Sequence, residues 1–331
     1  MAKLNTVAMS GGIKVMYEKR LLWRALPRLV HGRWAKKATI TRFGSAELRR
    51  YEGLSAVTNS LAEGSTPGEN AAPTITTVTL DPSWYGAYLV LTDKFEAEQF
   101  DDMISETSGI LGEQAGLSVD TLNRNVLIAG GTAAYSGGVS AVTSLDSPAH
   151  DISYKDFVKQ VFALMGNNAL QIGGKFQVIA HPHSIATLFN DETFANLFIQ
   201  ASDGNAIRNG QIGSIMGCDI YVSSNAYESA DGGYGSDDVY GMIFLGADAW
   251  GVAGMSGLEF SDVDNAGMEE YTMSGKPVNP VQIIVKGTDS GGVENALNQR
   301  GSIGWKATHD AEMLNADHAI ILYHTNMFSA D

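Results

Sequence analysis

The residues best suited to chemistry in this 331-residue chain are few and scattered. His181-Pro182-His183 is its closest pair of histidines. Two imidazoles two residues apart can share a metal ion. No acidic or cysteine ligand stands near them in sequence, so a strand-end turn set by the proline is the favoured reading. Asp262-Val263-Asp264-Asn265-Ala266-Gly267 begins like a calcium loop and then fails. Ala266 stands at the fifth position, and Met273 stands where the twelfth needs a bidentate glutamate. His309, Asp310 and Glu312 have no nucleophile to pair with and read as exposed polar residues. Cys218, the single cysteine, reads as a small core residue beside a strand and can form neither an internal disulfide nor a Cys-rich zinc site. The sequence has no Gly-x-x-x-x-Gly-Lys-[Ser/Thr] phosphate loop and no Gly-x-Ser-x-Gly elbow. No catalytic constellation, no metal and no cofactor are expected.

The elements around these residues are easier to read. Phe100, Ile104, Thr107, Leu111, Ala115, Ser118, Leu122 and Val126 form one stripe at spacings of three or four, which predicts a long helix over 94–128 with Asp93 as its cap. Gly109, Gly112 and Gly116 mark either an interruption of that helix or close packing against it. Before it, Thr74–Leu80 and Trp84–Leu91 are rich in β-branched and aromatic residues and read as the strands of an extended hairpin. Ser153 opens a helix with Phe157, Val158, Val161, Phe162 and Leu164 on its apolar side. Strands are expected at Lys175–Ala180, Asp219–Val222, Gly241–Leu245, Val281–Val285, Ser302–Thr308 and Ala319–Tyr323, and a short helix at His183–Asn190. Tyr17, Leu21, Leu22, Ala25, Leu26 and Leu29 predict a short amphipathic helix, broken at Pro27, whose apolar face needs a partner surface.

Charge divides the chain more sharply than its net value of −15 suggests. Residues 1–50 carry twelve Lys/Arg and two acids, a charge of +10, whereas the other 281 residues hold ten bases and 35 acids, a charge of −25. A basic arm on an acidic body points to an arm that works against something other than its own body. The 44% hydrophobic content supports a real core, and the longest apolar runs fall well short of a membrane span. No secretory signal is expected at the start of the chain.

Four stretches carry a resemblance to the major capsid proteins of tailed double-stranded DNA bacteriophages, and more narrowly to the coliphage N-four-like family. They are Trp84–Asp93, Phe176–His183, Asn209–Ala226 and, most specifically, Leu297–Thr308 with Leu314-Asn315. The resemblance implies an α+β chain of the Hong Kong 97-type capsid fold. Residues 1–50 would be an N-terminal arm and 51–91 an extended loop that overlaps a neighbouring subunit. Residues 92–150 would form a peripheral domain with a long spine helix, 151–275 an axial domain, and 276–331 C-terminal strands returning to the peripheral domain. It implies self-assembly into pentamers and hexamers of an icosahedral head shell enclosing the phage DNA, without catalysis. The chain would be located in the virion and assembled in the bacterial host cytoplasm. Separate scaffolding, portal and cement proteins are implied partners, non-specific contact of the arm with DNA remains open, and no membrane is involved. The prototype of the fold cross-links through a loop lysine, but no lysine lies between Lys37 and Lys94, so a non-covalent shell is expected. Intersubunit contact is expected from Arg20, Arg24, Arg28, Arg33, Lys36 and Lys37 of the arm. On the body it is expected from Trp84, Tyr85, Arg300 and Trp305. An encapsulin-like nanocompartment shell and an unrelated soluble enzyme are the alternatives.

Overall fold

The computed structural model describes residues 29–40, 45–94 (apart from 59, 61, 62, 65 and 67–71), 103–255 (apart from 195 and 197–213), 281–286 and 297–328 (apart from 298). The expectations for Arg20, Arg24 and Arg28, for the helix around Tyr17, and for the calcium-like loop at Asp262 lie outside these residues. In chain order the strands of the first half are β1 (Lys36–Ile40), β2 (Ala46–Tyr51), β3 (Ile75–Leu80), β4 (Ser83–Thr92) and β5 (Thr132–Tyr135). Then come β6 (Phe176–Ala180), β7 (Ser214–Ile215), β8 (Cys218–Val222), β9 (Tyr227–Ser229), β10 (Val239–Leu245) and β11 (Trp250–Met255). The last are β12 (Val281–Lys286), β13 (Arg300–Met313) and β14 (Ala319–His324), and the helices are α1 (Met103–Gly130), α2 (Tyr154–Gly166) and α3 (Pro182–Asn190). The architecture is α+β. Among the described residues, no helix is long and apolar enough to cross a membrane.

A seven-stranded sheet in the order β5-β14-β10-β6-β8-β7, with β9 also paired to β10, carries the main core. Every residue of β6, β10 and β14 is buried, because both faces of the sheet are covered. Strand alternation sends Phe176, Val178, Ala180, Met242, Phe244, Ile320 and Leu322 to one face, against Phe157, Val161 and Leu164 of α2 and Ile185 and Leu188 of α3. Ile179, Ile243, Leu245, Ile321 and Tyr323 go to the other, against Leu127 of α1, Trp250 and Ala35. Ser153 caps α2 as expected, its Oγ accepting from the Asp156 N–H at 3.3 Å and donating to Asp156 Oδ2 at 2.7 Å. Replacing Ser153 by alanine is expected to cost about 1 kcal/mol, read as a lower urea midpoint with unchanged slope. The apolar side of α2 is narrower than expected: Phe162 is 56% exposed, and Gln160 is buried in its stead.

The second sheet has the order β1-β11-β13-β12, with β4 paired along the other edge of β13. The fourteen-residue β13 is its axis, about 46 Å long, and α1 beneath it is about 42 Å long. The helix is continuous, and Gly109, Gly112 and Gly116 are buried, so they serve close packing. Its buried stripe departs from the expected one in the second half. Leu111 and Ala115 are followed by Val119, Asn123 and Leu127, where the sequence pointed to Ser118, Leu122 and Val126. A spacing of four residues turns the buried face by about 40° per step, so the stripe winds around the helix. The winding has a cause: Gln114 meets β13 through Trp305, Asp120 and Asn123 meet residues 30–32, and Leu127 meets the seven-stranded sheet.

Two expectations about strand partners change. Thr74–Leu80 and Trp84–Leu91 are both strands, but they do not form a hairpin with each other. β3 pairs with β2, from Ala46↔Leu80 to Tyr51↔Ile75, while β4 pairs with β13 from Thr92↔Arg300 to Ser83↔His309. β13 offers β4 a ten-residue register, within which Ala87 and Leu91 are half-buried. The extended ribbon is therefore β2–β3, beginning five residues earlier than position 51. The closing strands also divide: β12 and β13 join β4, whereas β14 enters the seven-stranded sheet between β5 and β10, and β11 leaves residues 151–275 to join β13.

Candidate functional site

The residues that could do chemistry are spent on structure. His181 is buried and caps α3, its Nδ1 accepting from the His183 N–H at 3.3 Å. His183 Nδ1 lies 3.2 Å from the Tyr240 hydroxyl, which donates to Glu228 Oε1 at 2.8 Å. Burial lowers the His181 pKa, opposed by the charge of Glu228. The expected strand-end turn is a helix cap in an aromatic stack. His309 is not an exposed polar residue: it is 7% exposed, and burial pushes its pKa down to about 4. Two-residue alternation along β13 puts it on the covered side with Ala307 and Ala311, while Asp310 accepts from the Asp81 N–H at 2.6 Å. Cys218 is fully buried at the start of β8, and burial first, then the charge of Asp219, pushes its thiol up to about 12. Among the described residues, no group of three or more His, Cys, Asp or Glu is placed to hold a metal.

What the molecule leaves unsatisfied is apolar surface. Directly opposed residues of antiparallel strands share a face. The registers Gly86↔Lys306, Tyr88↔Gly304, Val90↔Ser302 and Ile284↔Gly304 therefore place Trp84, Tyr88, Val90 and Ile284 together on the outer face of β12–β13–β4. Tyr88 is 72% exposed, Val90 52% and Trp84 47%. Trp84, Tyr88 and Ile284 line a groove of about 480 Å³ with Lys286 and Lys306, and the Lys306 ammonium sits 3.8 Å above the Trp84 ring. Glycine forms the floor because nothing larger fits: a Cβ on Gly304 would lie 2.8 Å from that of Tyr88, and one on Gly86 would lie 2.6 Å from the Trp305 carbonyl. Tyr51, Leu54, Val57 and Ile75 on and beside the β2–β3 ribbon are exposed as well. The ribbon's root is anchored by Leu80, buried with Ala253 and packed by Ala38, Ala46 and Leu48. A two-stranded ribbon with apolar sides is marginal in water, and a broad exposed apolar face marks an interaction site.

The sequence-derived contact residues fall in different places. The Arg33 guanidinium lies 5.4 Å from the Tyr221 ring and 5.8 Å from that of Trp34. Lys36 Nζ is 3.6 Å from Asp248 Oδ1 on an exposed rim, where an ion pair contributes little. Lys37 is half-buried, and burial lowers its pKa. Trp84 is on the outer face, whereas Tyr85, opposite Ala307, is on the inner one. Arg300 is exposed at the head of β13 opposite Thr92. Trp305 requires a correction. It is 5% exposed and its Nε1 donates to Gln114 Oε1 at 3.1 Å, so it binds β13 to α1 within the chain. On β4, Tyr88 and Val90 are more exposed than Trp84, and their even spacing from it was the available signal.

The profile of the family described as phage capsid protein matches residues 75–321. The chain belongs to the phage capsid protein family. It is a major capsid protein of the tailed-phage type, a component of the virion head shell. No curated protein matches its sequence. Solved structures resemble this capsid protein in fold across nearly its whole length. The capsid of cyanophage P-SCSP1u is 16% identical, with a TM-score of 0.62 covering 90% of this chain and 88% of that one. The capsid of Ralstonia phage GP4 is 13% identical, with a TM-score of 0.62 over 88% and 87%. The head of Helicobacter pylori bacteriophage KHP40 is 12% identical, with a TM-score of 0.58 over 88% of each chain. These likenesses bear out the Hong Kong 97-like fold.

Proposed function

We propose that this capsid protein assembles into pentamers and hexamers of an icosahedral shell around the phage genome, breaking and making no covalent bond. The observation that carries this reading is the aromatic outer face of β12–β13–β4, whose Trp84, Tyr88 and Val90 stay exposed among the described residues. Residues 1–50 serve as the arm and the 51–91 region, with β2 at its root, as the extended loop laid on a neighbour. The α1 segment and its sheet act as the peripheral domain, and the seven-stranded sheet with its helices as the axial one. Arm and ribbon gain their stability from neighbouring copies, because neither buries enough apolar surface alone. The −25 body, repeated over a shell, gives a wall that repels packaged DNA, while the +10 arm fastens onto acidic neighbours. Assembly takes place in the bacterial cytoplasm with separate scaffolding, portal and cement proteins. The family match does not favour an encapsulin-like compartment or a soluble enzyme.

Denaturing gels of purified particles test the non-covalent part. A single band near 35.3 kDa is expected, and a ladder of linked multiples would overturn it. Negative-stain images of the purified chain test the rest: rings of five and six or closed shells support it, and a stable monomer with turnover would sink it.

A further inference from the structure

Four close contacts converge on one carboxylate in the middle of α1. Asp120 is fully buried. Its Oδ1 accepts from the backbone N–H groups of Val30 and His31, both at 2.7 Å. Its Oδ2 accepts from Asn225 Nδ2 at 2.8 Å and from His31 Nδ1, also at 2.8 Å. A buried carboxylate persists only when its hydrogen-bonding capacity is filled, and bonds from N–H groups to an ionised oxygen are about twice as strong as neutral ones. Burial opposes the charge on Asp120, but the contacts from His31 and Asn225 outweigh it and hold its pKa below the ordinary value.

The junction joins three separate parts of the chain: the base of the N-terminal segment, α1, which carries Asp120, and the turn that follows β8. Asn225 is itself fixed, its Oδ1 accepting from Arg124 Nη1 at 3.2 Å and from Thr121 Oγ1 at 3.3 Å, and its carbonyl accepting from Arg124 Nη1 at 3.0 Å. Gly32 lies close to α1: a Cβ there would stand 2.8 Å from Asn123 Nδ2, so that side chain would have to shift. Beyond the junction, Trp34 packs on Tyr221 with ring centroids 4.7 Å apart, and Ala35 enters the core. A docked segment needs apolar burial alone to stay down, and Trp34 and Ala35 supply that. The convergence on Asp120 adds direction, since two consecutive N–H groups held by one oxygen fix the path of the backbone.

We propose that Asp120 is a positioning residue for assembly, a clasp that fixes where the chain upstream of residue 29 leaves the body and so where the basic arm reaches a neighbouring copy. This rests on the reading of residues 1–50 as an assembly arm. The clasp acts through Val30 and His31 and touches no neighbour itself. Substitution separates its parts. Asp120→Asn keeps the Oδ1 that holds both backbone N–H groups, whereas Asp120→Ala removes every bond.

Hydrogen exchange followed by mass spectrometry, together with shell yield from sedimentation, tests it on the full-length chain. In Asp120→Ala, exchange across residues 29–35 is expected to rise by roughly tenfold or more while β10 and β14 remain protected, and shell yield is expected to fall by a similar factor. Asp120→Asn, which keeps the bonds from the Val30 and His31 N–H groups but turns an NH2 toward that of Asn225, should restore part of both. Unchanged protection of 29–35 in Asp120→Ala would overturn the clasp. Lost protection with wild-type shell yield would overturn its role in assembly. If Asp120→Ala does not fold, Asn225→Ala, which removes the Asn225 bond to Oδ2, should shift both readouts in the same direction by a smaller factor, and no shift would count against the proposal. A wild-type chain that forms no shell would defeat the assembly reading itself, and the exchange measurement would still decide the clasp.

Discussion

Tyr88→Lys is expected to abolish shell formation while leaving the subunit folded. Tyr88 is 72% exposed in the single chain, so its removal empties no core. The cost to the subunit is confined to β propensity and to the cover over Gly304, together about 1 kcal/mol or less, which shifts the melting temperature by only about 2–4 °C. At an interface between copies the balance is different. Covering a tyrosine ring contributes roughly 1.5–3 kcal/mol per contact, and that contribution is repeated around every ring of subunits. A lysine there would have to be desolvated beside Lys286 and Lys306, adding like-charge repulsion in a groove of about 480 Å³. Sedimentation and circular dichroism on the same preparation check this: a native spectrum with no fast-sedimenting particles is expected. Tyr85→Lys, on the inner face opposite Ala307, is expected to act differently, destabilising the subunit before it affects assembly.

Acid is expected to destabilise the subunit through two histidines. Burial drives both His309 and His324 down to about 4, with Asp310 opposing the shift at His309. At His324 the Thr325 carbonyl and Asp156 oppose it, and His181 adds to it. In the unfolded chain a histidine titrates near 6.5. Between those values the unfolded state takes up protons that the native state refuses, so stability is full above about pH 6.5 and falls as pH drops toward 4. At pH 4.5 the loss is on the order of 2–3 kcal/mol for each histidine, or roughly 10 °C in melting temperature for the pair. Asp120 and Asp191, whose folded pKa values are lowered, contribute stability that is lost only at still lower pH. Melting curves from pH 7 to 4.5 should show the slope, and the double variant His309→Gln with His324→Gln should flatten it even though its stability at pH 7 is lower. An unchanged slope in that variant would contradict the assignment.

The parts of this fold that were legible in the sequence are those whose signal is local. β6, β10 and β14 are mostly apolar because their sheet is covered on both faces, and α2 has both a serine cap and a helical repeat. β2 was hidden because Ala46–Tyr51 is short, holds three charged residues, with Arg49 and Arg50 side by side, and lies within a basic segment. β5 was hidden because a strand of four residues, two of them alanine, carries little pattern. Partner choice was not legible at all: whether β4 pairs with β3 or with β13 depends on a register set across the whole chain and on α1 beneath it. The same distance effect hid Asp120, whose partners Val30 and His31 lie 90 and 89 residues away. Trp305 was read as an outward contact because its segment carries the family resemblance. The alternation along β13 puts it inward and leaves Tyr88 and Val90, across on β4, as the outward pair.

The most direct test is a cryo-electron microscopy map of the assembled particle, inspected at the outer face of β12–β13–β4. The account predicts a closed shell in which Trp84, Tyr88 and Val90 are covered by another copy of this chain. A shell with that face open to solvent, or a purified chain that remains a monomer at high concentration, would contradict it.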